Sequence, residues 1–150
     1  MSNAAFAAAR TQLPDAPALA VGVRAVAWLP SLQGQAETLT LEAAAQRIRR
    51  GEQPIVCHAR SVARRLRLPG LVAYDVLELF AFVRPARFCV PTPRGLATTL
   101  LLPLPEGRTA EAATLFAACR ALLAELTASP GREALPLAWT MARGGWPWGQ

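Results

Sequence analysis

Lysine is absent from this chain. All 16 basic residues are arginine, against 10 acidic ones, for a net charge of +6. Without lysine there can be no Gly-x-x-x-x-Gly-Lys-Ser/Thr phosphate loop, no Schiff-base chemistry and no lysine nucleophile. Aspartate is nearly as scarce, with only Asp15 and Asp75. His58 is the single histidine, and the 3 cysteines (Cys57, Cys89 and Cys119) form no Cys-x-x-Cys pair. A structural zinc site would have to use all four of these residues. Free thiols buried in a reducing compartment are the simpler expectation. No apolar run approaches the roughly 18 residues that cross a bilayer.

What is present favours a folded domain. The chain has 150 residues, 53% of them hydrophobic. That fraction is too high for a disordered polymer, and the length suffices for a real core. Much of the apolar content is Ala and Leu, which favours helix. Residues 1–17, with a lone Arg10, read as a flexible leader without a signal-peptide core. A guanidinium forks onto phosphate oxygens, so the basic balance permits nucleic-acid contact. A GC-rich coding sequence would also replace lysine by arginine.

Periodicity and punctuation predict the elements. Ala18 to Leu29 is apolar and β-branched, with an alternation that shifts between Val23 and Val26; it reads as one strand. Pro30 and Gly34 mark a turn, and Glu37 to Leu41 reads as its hairpin partner. Thr40 is placed to cap a helix from Leu41 to Arg50 that Gly51 stops. Pro54 to His58 reads as a short strand buried on both faces. Ser61 is expected to cap a helix over Val62–Leu68, followed by a strand from Leu71 to Tyr74. Asp75 opens a helix from Val76 to Val83, ended by Pro85. Thr92 with Pro93 starts a helix to about Leu101. After a linker over 102–107, a long helix from Thr109 to Thr127 and a shorter one from Glu133 to Arg143 are separated by Ser129, Pro130 and Gly131.

Four groups of residues can carry function. His58 stands where a strand ends, a place for a structural hydrogen bond. Asp75 at a helix N-terminus accepts backbone N–H groups and complements the helix dipole, with Glu78 one turn on. Arg60, Arg64, Arg65 and Arg67 crowd one helix, and Arg84, Arg87 and Arg94 crowd the loop after the next. Together they either contact phosphates without reading sequence or form a solvated face that pairs with Glu78 or Glu52. Trp146 and Trp148 flank Pro147. They either stack on single-stranded bases with Arg143 or dock against the protein.

The stretch His58–Ala63 resembles the His-Asn-x-x-Phe-Asp segment of proofreading, DnaQ-like exonucleases. AYDVLELF, carrying Asp75 and Glu78, resembles the segment that follows their fifth strand. In that family the last Asp of the first segment binds a catalytic metal ion; here that position is Ala63, and the Asn is Ala59. The strand expected to carry Asp-x-Glu has no acid between Ala18 and Leu29. Two Mg²⁺ ions need several carboxylates. The resemblance therefore implies a degenerate exonuclease without catalytic or metal-binding residues.

From about residue 18 to 150 the order of segments, above all AYDVLELFAFVRPARFCVPTPRGLA, resembles the N-terminal region of DinG-type ATP-dependent DNA helicases of alphaproteobacteria. This implies a parent superfamily 2 helicase that uses ATP and Mg, although these residues contain neither a Walker lysine nor an Asp-Glu-x-His box. The expected fold is α/β: a shortened ribonuclease H-like mixed sheet over 18–102 with a helical extension over 103–150. The expected role is a cytoplasmic, non-catalytic accessory domain without a cofactor of its own, contacting DNA or packing on a helicase core in the same polypeptide, with no membrane partner. A free-standing protein-interaction adaptor is the alternative.

Overall fold

A computed structural model describes residues 12–128 and 133–149. The leader up to residue 11, with Arg10, and the helix break at Ser129, Pro130 and Gly131 lie outside the described residues. Five strands form one mixed sheet: β1 (Ala18–Val21), β2 (Ala25–Leu29), β3 (Glu37–Thr40), β4 (Ile55–Val56) and β5 (Tyr74–Asp75). Their spatial order is β3-β2-β1-β4-β5. β2 runs antiparallel to β1 and β3, whereas β1, β4 and β5 are parallel. Six helices are described: α1 (Leu41–Arg49), α2 (Ala59–Leu66), α3 (Val76–Val83), α4 (Pro93–Leu100), α5 (Arg108–Ala128) and α6 (Ala134–Arg143).

The stretch Ala18–Leu29 is two strands, not one. The chain reverses at Val23 and Arg24, with the Gly22 N–H donating to the Ala25 carbonyl at 2.8 Å. The shift in alternation was the trace of this reversal: Val21 and Val26 face each other across the hairpin, and Val23 is its exposed tip. β2 then pairs with β3, as the hairpin reading expects.

β1 lies at the centre with both faces buried, so its alternate residues serve two cores. Ala18 and Ala20 face Ile55, Leu79, Phe80, Leu96, Leu115 and Leu122, a core closed by α3, α4 and α5. Leu19 and Val21 face Trp28, Ala44, Ala45, Val62 and Leu66, a core closed by α1 and α2. Small residues on one face of β1 and β2 let the long α5 lie close; the larger Leu19, Val21 and Trp28 fill the other face. The boundary read at 102–103 falls between α4 and α5, and the core runs across it. No described helix is long and apolar enough to cross a membrane.

Three caps follow the sequence. The Thr40 hydroxyl accepts from the Ala43 N–H, Asp75 accepts from Leu77, and Thr92 accepts from Gly95 with Pro93 in the first turn. Gly51, at φ 106°, ends α1. α2 departs from expectation. It starts at Ala59, and its cap is His58 in the left-handed region, not Ser61. β4 is shorter than read, at Ile55–Val56, and β5 lies at Tyr74–Asp75, sharing only Tyr74 with the strand read from Leu71 to Tyr74.

Candidate nucleic-acid interface

β1 and β4 are parallel neighbours, and the chain leaves β1 toward β2 on one side of the sheet and β4 toward β5 on the other. Clefts that take ligands form at such divergence points of open α/β sheets. Here a cleft of about 170 Å³ opens between β1, α2, the approach to α4 and the start of α5. Leu19, Val21, Cys57 and Val62 form its apolar lining; His58, Ser61, Arg65, Thr92, Arg108 and Glu111 supply its polar groups.

The two arginines are tied to the end of β1. Arg65 donates from Nη1 to the Val21 carbonyl at 2.8 Å. Arg108 lies over the next residue: a Cβ at Gly22 would come within 3.2 Å of its Nε and 2.9 Å of the Ala25 oxygen, so only glycine fits. Arg108 also donates to Glu111 at 2.7 Å. A guanidinium carries five N–H donors, so each of these arginines keeps donors for an anion.

His58 is held by its backbone. Asp75, only 5% exposed, accepts the His58 N–H at 2.9 Å, the Ala59 N–H at 2.7 Å and the Leu77 N–H at 3.0 Å. The expected structural hydrogen bond of His58 thus comes from its main chain. The carboxylate welds β5 to the start of α2 and caps α3. Burial, then the negative charge of the nearby Asp75, push the Cys57 thiol well above its ordinary range. Burial does the same to Cys119. Only Cys119 is fully buried; Cys57 and Cys89 are half-buried, which corrects the expectation of three buried thiols.

The donor set of this cleft does not suit divalent metal ions. Glu111 is the one carboxylate in the lining, and it is paired with Arg108.

The remaining arginines divide by their partners. Arg84 grips Glu125 with its Nε and Nη2, at 3.0 and 2.9 Å, and is engaged within the fold. Arg47 and Arg49 pair with Glu37 and Glu42. Arg60 and Arg64 lie along one exposed side of α2, Arg67 follows its last residue with left-handed backbone, Arg87 is exposed on the loop between α3 and α4, and Arg94 is exposed in the first turn of α4. Among the described residues no carboxylate forms an ion pair with these five. The cleft brings Arg65 of α2 together with Pro91–Pro93 of that loop. Arg108 belongs to the same constellation and was not singled out from the sequence.

The tryptophans dock. Trp148 Nε1 donates to the Asp75 carbonyl at 2.9 Å, and its ring meets Tyr74 edge-on at 5.2 Å. Trp146 Nε1 donates to Glu78 at 3.2 Å and leans on Phe82. Arg143 instead lies over Trp139. The short turn Pro147–Gly149 thereby covers β5, the edge strand. Partial burial and the neighbouring Asp75 charge push Glu78 up, against the opposing pull of the Trp146 N–H.

Searches of family models, curated proteins and solved structures return no match to this chain.

Proposed function

We propose that this chain is a non-catalytic, cytoplasmic accessory domain of an ATP-dependent DNA helicase of DinG type, built on a ribonuclease H-like scaffold and contacting nucleic acid. The order β3-β2-β1-β4-β5, with β2 alone antiparallel, supports the scaffold. The observation that carries the functional reading is the pairing pattern of the arginines. Arg84 is taken up by Glu125 and Arg108 is paired with Glu111, whereas Arg60, Arg64, Arg65, Arg67, Arg87 and Arg94 form no ion pair among the described residues. Such groups bind phosphates regardless of base sequence. The domain needs no cofactor of its own; ATP and Mg belong to the helicase core that would share its polypeptide.

Fluorescence anisotropy with labelled single-stranded DNA over a salt series tests this reading. Binding should weaken steeply as salt rises, because phosphate contacts release counterions. Absent or salt-insensitive binding overturns it. A reading frame that continues past Gln150 into ATPase motifs would support the helicase parent.

One observation favours a second reading, an adaptor for a protein partner. α6 exposes Leu137 and Trp139, at 51% and 62%. Size-exclusion chromatography with light scattering would reveal self-association through that helix.

A further inference from the structure

We infer that the cleft beside Phe88 takes one unpaired nucleobase, so that the nucleic acid contacted by this domain is single-stranded. The inference rests on the nucleic-acid reading above and names its substrate class.

Phe88 is 83% exposed, although its neighbour Cys89 packs against the core. Exposure of a whole phenyl ring is unfavourable by itself. Nor is the ring on a loose segment. Pro85, Pro91 and Pro93 restrict the backbone. The Thr92 N–H donates to the Val90 carbonyl at 2.7 Å, and Thr92 caps α4. At the other end, the Arg84 side chain ties the loop to Glu125 on α5. The fold therefore holds an aromatic face out to solvent on an ordered support. A pre-ordered ring loses little freedom when a flat partner stacks on it.

The surroundings select the partner. A cleft of about 650 Å³ is lined by Arg84, Pro85, Arg87, Phe88, Thr99 and Glu125. The phenyl face suits the π-face of a base, and stacking tolerates any base. Arg87, exposed and without an ion pair among the described residues, suits the adjoining phosphate. The Glu125 carboxylate has lone pairs to spare for an exocyclic amine, and Thr99 adds a hydroxyl. From Arg84 to Pro105 the chain carries three arginines and no carboxylate. That balance favours a polyanion over an apolar protein surface. A duplex keeps its bases inside the stack and would have to extrude one to reach Phe88.

The test uses a labelled oligothymidylate, alone and annealed to its complement, titrated against the full chain and its Phe88→Ala and Phe88→Trp variants. Phe88→Ala should weaken single-strand binding by about 5- to 150-fold, the range for losing one base–aromatic stack. It should leave duplex binding unchanged, and Phe88→Trp should retain the single-strand affinity. Because Phe88 is exposed, thermal melting should match that of the parent chain. Unchanged single-strand affinity in Phe88→Ala, or an equal loss for duplex and single strand, overturns the inference and leaves the basic interface standing. A parent chain that binds neither form overturns both.

Discussion

Asp75 accepts the backbone N–H of His58 at 2.9 Å, and His58 sits at φ 64°. A buried carboxylate thus stabilises a residue in a backbone region that costs L-residues about 1–2 kcal/mol. Asp75→Ala would strip the acceptor from three N–H groups, and each buried orphan costs about 1–3 kcal/mol. The expected outcome is a large drop in the denaturant midpoint, at the limit of what the domain can bear. His58→Gly should do the opposite, adding about 0.5–1 kcal/mol once the entropy of glycine in the unfolded chain is deducted. If His58→Gly destabilises the protein in urea melts, the imidazole has a structural role that the geometry does not provide.

The arginines should separate by function. Arg65→Ala and Arg108→Ala each remove a guanidinium from the end of β1. For single strands, the slope of log affinity against log salt should fall by about 0.7 for each phosphate that is no longer neutralised. Arg84→Ala should leave that slope alone. It should instead cost up to about 1 kcal/mol of stability, the usual worth of a half-exposed ion pair. Equal salt slopes in all three variants would place the phosphate-binding groups elsewhere.

The parts of this architecture that were legible in the sequence are those set by local chemistry. Thr40, Asp75 and Thr92 announced three helix starts because a short side-chain acceptor at that position satisfies a nearby N–H. The buried strand at Ile55 was legible from its unbroken apolar run. The hairpin at Val23–Arg24 was not, because it lacks the Asn-Gly or Asp-Gly pair that usually marks one. His58 as the start of α2 was hidden too, since its left-handed backbone is supported by Asp75, 17 residues away in sequence. The cleft was half legible. Arg65 reads only as one of four crowded arginines, because its acceptor is a backbone carbonyl that no residue type advertises. Arg108 drew no attention because its role depends on the close approach allowed by Gly22. Arg84 reads as a phosphate contact or a partner of Glu78 or Glu52, because its actual partner, Glu125, is 41 residues away.

Glu78 gives the tail a pH dependence. A carboxyl raised in the folded state binds its proton more tightly there than in the unfolded chain. The stability tied to that proton is present at low pH and is lost as pH rises through the raised value. Glu78→Gln keeps an oxygen for the Trp146 N–H and removes the charge beside Asp75. In thermal melts from about pH 4 to about pH 7, the variant should gain on the parent chain as pH rises. Other titrating groups are common to both proteins and cancel in the difference. A gap that is constant with pH would mean that Glu78 titrates as in the open chain.

Trp148 tests whether the C-terminal turn protects the sheet edge. β5 is the last strand of the sheet. An uncovered edge invites pairing with another chain. The indole covers it by donating to the Asp75 carbonyl and packing against Tyr74. Trp148→Phe removes the N–H but keeps an aromatic body, so it should cost about 1 kcal/mol. Trp148→Ala removes the packing as well and should cost about 2–3 kcal/mol, below the toll of a fully buried aromatic because this one is half-buried. Hydrogen exchange should then rise at the amides of Tyr74 and Leu77, and limited proteolysis should cut after Arg143. If Trp148→Ala leaves exchange and cleavage unchanged, then α6, and not the tryptophan, holds the turn in place.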